Sequence, residues 1–233
     1  MLHAISPQRR ARGGQQLASR LHSVTSFYLA LTIAAFFWHG ATQDTNDIWR
    51  LNPDQSATYL LITAAIGIVV GLAVVRTFRW MEPRYVWLER LSYEFRDVLG
   101  PLSRLEIFAL AAASAIGEEL LFRGAMLDNW GLVASTLVFG LIHVPPRWSL
   151  WPWTASALVM GLILGVLTLA TGNLGAAILT HFMVNYLNLG HITRAKEPSV
   201  PEPRGDHQEG RSPDPNVPRA LKPALKPALK PTP

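Results

Sequence analysis

The sequence predicts an all-α fold, a polytopic membrane helix bundle of about six transmembrane helices with a possible interfacial helix. Three observations predict it. Only 16% of the 233 residues are charged, against about a quarter in an ordinary soluble domain. The hydrophobic residues, 49% of the chain, gather into long runs separated by short polar turns. Basic residues collect in alternate connections between those runs, as the positive-inside rule expects of a membrane protein.

The first 23 residues are polar and carry Arg9, Arg10, Arg12 and Arg20. No small-residue cleavage site follows the first apolar run convincingly, so no removed signal peptide is expected. The first span is expected over about 24–40, ahead of a polar loop with Asp44, Asn46, Asp47, Asn52 and Pro53. The second, about 57–78, is almost free of charge and the clearest candidate, since crossing the hydrocarbon layer takes roughly 20 apolar residues. Residues 76–100 mix charges with Trp80, Tyr85, Trp87 and Tyr93. Aromatic rings and long basic side chains suit a helix lying in the interface, although a solvated linker would have a similar composition. These parts make a unit of two spans and a linker over 24–100.

A membrane core is expected over 101–193. Its first span, about 101–127, opens on Pro101, which suits a first helical turn. Glu106, Glu118, Glu119 and Arg123 mark it as no ordinary lipid-facing helix. Asp128-Asn129 and Gly131 signal a turn. Further spans are expected over about 130–144, ending at Pro145-Pro146, over 150–170, and over 174–192 after the turn Thr171-Gly172-Asn173. From 194 to 233 proline and charge take over, ending in three Ala-Leu-Lys-Pro repeats. A proline every fourth residue forbids a regular helix, so an extended, disordered tail is expected.

Six spans put both ends on one side. The N-terminal segment, the 76–96 connection, the connection with Arg147 and the tail all fall on that side and carry nearly all the Lys and Arg; the alternate loops hold only Arg50. Both termini are therefore expected in the cytoplasm. The chain has no cysteine, which excludes disulfides, thiolate metal sites, iron–sulfur clusters and cysteine nucleophiles. The net charge of +5 would suggest nucleic acid in a soluble protein. Here its placement in the connections accounts for it, and no nucleic-acid partner is expected.

An ionisable group inside a span is costly and needs a reason. Glu118, His143, His181 and Asn185 lie roughly 17, 21, 14 and 20 Å of helix from turns on one side, so they reach similar depth. Glu119 and Arg123 are i and i+4 and can neutralise each other, while Glu118 points about 100° away and stays free. His181 and Asn185 are again i and i+4, as are Phe139 and His143. A lone intramembrane histidine such as His39 or His191 is better read as a helix–helix hydrogen bond. A carboxylate and an imidazole in a poorly solvated pocket can act on water. A second histidine and an asparagine can donate hydrogen bonds to an oxyanion. That equipment suits peptide-bond hydrolysis without a serine or cysteine nucleophile. A zinc site of Glu118, His143 and His181 is the rival arrangement, although no H-E-x-x-H is present.

These residues resemble the motifs of a known family. Glu118-Glu119-Leu120-Leu121-Phe122-Arg123 matches E-E-x-x-x-R, Phe139 to His143 matches F-x-x-x-H, and His181 to Asn185 matches H-x-x-x-N. In this order, over about 102–189, they are similar to the CPBP family of intramembrane endopeptidases, which includes the type II CAAX prenyl endopeptidases and the bacterial Abi proteins. The resemblance implies that Glu118 and His143 activate water, that His181 and Asn185 form the oxyanion hole, and that Glu119, Arg123 and Phe139 support them. It implies a glutamate-type mechanism with no cofactor; a Zn²⁺-dependent version is the alternative. It implies a membrane-associated protein or peptide as substrate, without requiring a prenyl group. A non-catalytic bacteriocin-immunity protein and a proton-coupled transporter are the other classes. Intact motifs argue against the first, and the lack of an internal repeat against the second.

Overall fold

The structure is a computed structural model that describes residues 7–52, 54–145 and 151–194, with side chains from residue 22 onward. Among the described residues every regular element is helical, and the only strand-like pairing is an isolated bridge between Arg50 and Asn173. The expected disordered tail lies outside the described residues beyond Arg194, as does Arg147.

The helices follow the apolar runs. Helix α1 covers Pro7–Thr42, so the helix extends well before the apolar run that begins near Val24. Helix α2 covers Ala57–Met81 and passes through a short 3-10 turn, Glu82–Arg84, into α3, Val86–Leu99. Helix α4 covers Arg104–Glu119 and continues through a wider π-helical stretch, Leu120–Met126, into α5, Leu127–Ile142. Helices α6 and α7 cover Trp151–Thr171 and Gly175–Ile192. Among the described residues three segments are long and apolar enough to cross a membrane: His22–Thr42, Ala57–Arg84 and Trp151–Thr171. The bundle is an integral membrane fold, and its outer surface agrees. Phe37, Leu61, Val69, Val133 and Leu141 are all exposed on helix faces, where lipid rather than water would meet them.

One expectation is corrected at α4. Pro101 does not open the helix. Ser103 caps it instead, with its hydroxyl accepting from the Glu106 backbone N–H at 3.2 Å and the Glu106 carboxylate accepting from the Ser103 N–H at 2.7 Å. Glu106 is therefore half of a capping box. Within α5 the helix is broken at Gly131, whose φ of 78° lies in the left-handed region where a side chain is disfavoured, and the chain turns there. The α4–α5 hairpin signalled by Asp128, Asn129 and Gly131 is thus present.

Helix α2 buries a stripe of small residues, Thr63, Gly67, Gly71 and Val75, each four positions from the last. That stripe faces α7. A Cβ on Gly67 would strike the Ala176 backbone, and one on Gly71 would stand 2.7 Å from the Met183 Cβ. Close approach of this kind is how helices gain packing energy in lipid, where hydrophobicity gives none. Thr180 Oγ1 then donates to the Gly67 carbonyl at 2.9 Å. Helix α3 is amphipathic. Leu88 and Leu91 are buried, and Phe78, Met81 and Phe95 pack against them, as expected of a helix lying along the end of the bundle.

The turns sort to two ends. The Leu51 N–H donates to the Gly172 carbonyl and the Leu174 N–H to the Trp49 carbonyl, both at 2.9 Å, joining the α1–α2 loop to the α6–α7 turn. Asn129 Nδ2 donates to Thr42 Oγ1 at 3.0 Å, bringing the α4–α5 hairpin to the same end. At the other end Glu82 meets His191 at 2.8 Å and accepts from Ser92 Oγ at 2.8 Å. His191 therefore links helices, and so does His39, whose Nδ1 lies 3.2 Å from the Gly124 carbonyl.

Candidate active site

The polar centre is built where α4 widens. In a π-helical turn the backbone rings are larger than in an α-helix, and such turns often occur at functional sites. Glu118 and Glu119 end the α-helical part and Arg123 sits inside the π stretch. As expected, the two carboxylates face different partners. Glu119 Oε1 accepts from Arg123 Nη1 at 2.9 Å, and both side chains are fully buried. Arg123 Nη2 reaches across to donate to the Gly161 carbonyl on α6 at 3.0 Å. Its guanidinium lies 4.3 Å from the centre of the Phe139 ring. Gly161 leaves the room this requires, since a Cβ there would come within 3.2 Å of Phe139.

Phe139 is the hub of the aromatic packing. Its ring meets Phe122 edge to face at 5.1 Å, lies 4.6 Å from the His143 ring and 6.1 Å from the His181 ring. One turn on, at the C-terminus of α5, His143 Nδ1 is 2.6 Å from the Phe139 carbonyl. A carbonyl only accepts, so Nδ1 carries the proton there. The neutral ring then presents a bare Nε2 lone pair, 3.8 Å from Glu118 Oε2. Thr154 Oγ1 donates to the His143 carbonyl at 2.6 Å, and Trp153 meets the ring edge to face at 5.4 Å.

His181 approaches from α7. Its Nδ1 is 2.7 Å from Glu119 Oε1 and its Nε2 is 3.9 Å from Glu118 Oε2. Glu119 is thus shared between Arg123 and His181, a role beyond the simple pairing the i, i+4 spacing suggested. Because Nδ1–H is committed to Glu119, Nε2 donates a hydrogen bond only when the ring is protonated. With His181 as imidazolium, two carboxylates face two cations, and the buried cluster is electrically balanced. Asn185, one turn further along α7, donates from Nδ2 to Ser114 Oγ on α4 at 2.9 Å. It joins the cluster through Ser114, with the second amide hydrogen left over.

The structure therefore brings Glu118, His143 and His181 within reach of one another, places Glu119, Arg123 and Phe139 behind them, and connects Asn185 through Ser114. Glu118 Oε2 is buried and has no hydrogen-bond partner. A buried carboxylate oxygen aimed at two imidazole nitrogens calls for a ligand between them. The sequence reading missed two neighbours. Ser114 is one. The other is Tyr28 of α1, whose carbonyl oxygen and the base of whose ring pack against Gly117, next to Glu118. Gly117 was the available signal for Tyr28, since a glycine beside a buried carboxylate marks close helix approach.

Fold and site define a helical integral membrane protein with an ionisable centre to which five of its helices contribute. Residues 100–187, which hold the whole E-E-x-x-x-R, F-x-x-x-H and H-x-x-x-N set, match the family described as type II CAAX prenyl endopeptidase Rce1-like. The chain is also similar to the protein named uncharacterized protein YpbD of Bacillus subtilis (strain 168), at 25% identity over 190 residues, covering 79% of this chain and 95% of that protein. No solved structure matches the chain. The family match supports protease activity of the CAAX type, on a substrate held at a lipid bilayer.

Proposed function

We propose that this protein is an intramembrane endopeptidase hydrolysing a peptide bond of a membrane-associated protein or peptide. The observation that carries the reading is the unpartnered Glu118 Oε2, buried and facing the Nε2 atoms of His143 and His181 at 3.8 and 3.9 Å. A water between Glu118 and His143 would give one hydrogen bond to the carboxylate and one to the imidazole. Glu118 takes a proton from it as the oxygen attacks the carbonyl carbon. The carbonyl π pair moves to the oxygen, where protonated His181 Nε2 and the spare Asn185 N–H would stabilise the charge. The tetrahedral carbon then expels the amine, which receives the proton held by Glu118. Arg123 pairs with Glu119, Glu119 orients His181 through its Nδ1, and Phe139 packs against both rings and accepts from His143 Nδ1 through its carbonyl.

A zinc-dependent version has support from the same three side chains, because two imidazoles and a carboxylate are a known catalytic zinc set. Among the described residues no three such side chains are placed to hold an ion as they stand, so Glu118, His143 and His181 would have to draw together to do so. Zinc held there would polarise the attacking water. An immunity protein that only binds a toxin has no need for the unpartnered carboxylate.

Both termini are proposed to lie in the cytoplasm of a bacterial inner membrane. Arg79, Arg84, Arg90 and Arg96 sit at the bundle end opposite Arg50, which supports this orientation. The test of activity is to incubate the purified full chain in detergent with a library of membrane-anchored peptides, with and without farnesyl groups, and identify products by mass spectrometry. Cleavage by the native chain and a loss of about 10²–10⁴ in rate for Glu118→Gln is the expected result. Full activity of Glu118→Gln would sink the assignment. Loss of activity on chelation, restored by stoichiometric zinc, would replace the metal-free mechanism with the zinc one.

A further inference from the structure

His143 stands where its helix supports it least. It is the residue that ends α5, with φ −90° and ψ 29°, and the last carbonyls of a helix have no partner within it. Its side chain is also the least enclosed of the three facing groups, 16% exposed against 8% for Glu118 and 8% for His181. Yet its Nε2 has to meet the same water as Glu118. The first turn of α6 supplies what α5 lacks. Thr154 Oγ1 donates to the His143 carbonyl at 2.6 Å and gives the backbone its partner. Trp153, beside it in the chain, meets the His143 ring edge to face, at 5.4 Å and 85°. Gly140 lets α6 come this close to α5, since a Cβ there would strike the Leu158 side chain. Trp153 is itself met edge to face by Phe95 of α3, at 5.0 Å and 88°. Rings at these distances and angles are in a favoured arrangement. Phe95 packs on Leu88 and Leu91, the buried residues of α3. Contacts therefore run without a break from the amphipathic helix at the bundle end to the imidazole beside Glu118.

We infer that Trp153 is a positioning residue for His143, set in place by Phe95 of α3, a helix outside the family-matched segment. The inference rests on the protease reading. The torsion that turns an imidazole about its last bond is broad, so packing rather than rotamer preference decides where Nε2 points. The Phe139 carbonyl holds one edge of the ring through Nδ1, at 2.6 Å, and the Phe139 ring lies 4.6 Å from it. Both of these supports come from α5 itself. Trp153 is the support from another helix, and without it the ring can swing into the space that the indole leaves. Phe95 acts at one remove, by keeping the indole against the imidazole. Helix α3 thus braces the reacting group as well as the end of the bundle.

The experiment uses the full chain in detergent and the membrane-anchored quenched-fluorescent peptide that the native chain cleaves fastest. Trp153→Leu keeps the position apolar and removes the ring. It should lower kcat by about 10–100-fold, the cost of a misplaced catalytic group, with KM and melting temperature unchanged. Trp153→Phe keeps an aromatic edge and should recover most of the rate. Phe95→Leu keeps the α3 cluster apolar and should lower kcat in the same way. Combined with Trp153→Leu it should cost little more than Trp153→Leu alone, because residues that act as one unit are not additive. Native kcat in either folded Leu variant, equal losses in Trp153→Leu and Trp153→Phe, or additive losses in the pair would overturn the inference. So would a fall in kcat that only follows a fall in melting temperature. Should Trp153→Leu not fold, Phe95→Leu decides alone: native kcat in it overturns the inference, and a lower kcat at unchanged KM and melting temperature upholds it. Glu118→Gln separates the two levels. If it is inactive while Trp153→Leu and Phe95→Leu run at the native rate, only the positioning role fails. If Glu118→Gln is itself fully active, the protease assignment fails first.

Discussion

Replacing Glu119 by Gln tests the charge balance of the centre most directly. The substitution keeps size and shape but removes the carboxylate that faces Arg123 at 2.9 Å and His181 at 2.7 Å. Arg123 is fully buried, and its remaining contacts are one carbonyl and an aromatic face. Breaking a buried pair from one side costs about 3–5 kcal/mol, because the surviving charge is left uncompensated. For a chain of this size each kcal/mol is worth about 2–4 °C, so melting should fall by roughly 6–20 °C. The eight tryptophans give a fluorescence signal for thermal unfolding in detergent. Replacing both partners by Leu should recover most of the loss, since a packed apolar pair often equals a buried ion pair. Activity should stay absent, because His181 Nδ1 has lost its acceptor. Exchanging Glu119 and Arg123 should not rescue either property: the exchanged Arg would face His181, and the exchanged Glu would face a carbonyl and the Phe139 ring. Native stability in Glu119→Gln, or recovered activity in the double Leu variant, would refute this account.

Three further outcomes are expected. His143→Ala should be about as damaging as Glu118→Gln in the peptide assay, and combining them should add little, since groups acting on one water are not additive. Gly67→Val should abolish the α2–α7 contact, seen as lost folded yield by size-exclusion chromatography in detergent, because the new side chain would strike the Ala176 backbone. The cysteine-free chain permits single-cysteine labelling of intact bacteria. An impermeant maleimide should react with Asp44→Cys and leave Tyr85→Cys untouched; the reverse pattern would invert the proposed orientation.

Helical periodicity made much of this arrangement legible. It separated Glu118 from Glu119 by face, paired Glu119 with Arg123, and set His181 and Asn185 on one line of α7. Left-handed turns at Gly131 and Gly172 were legible because glycine is the residue such turns favour. The misreadings have local causes. Pro101 was taken as a helix start although Ser103 and Glu106 carried the stronger capping signal. Nothing in Leu120–Met126 signals a π-helical turn, because its residues would suit an α-helix equally well. Contacts between distant parts of the chain left the least trace. The bond between His181 and Glu119, the packing of Tyr28 against Gly117 and the bond from Asn185 to Ser114 depend on how closely whole helices approach. A tyrosine in an apolar run looks the same whether it faces lipid or a neighbouring helix.

The pairing of Glu119 with Arg123 within one helix also bears on how the protein is made. Synthesis proceeds from the N-terminus, so α4 reaches the bilayer before α6 and α7 exist. A lone arginine or acidic group at the centre of a nascent span carries an insertion cost of about 2.5–3.5 kcal/mol. Glu119 and Arg123 can cancel each other at once, because the partner arrives on the next turn of the same helix. Glu118 has no such neighbour on its own helix and meets His143 and His181 only once α5 and α7 have followed. The surroundings of Glu118 are thus completed last, by helices that enter the bilayer after its own.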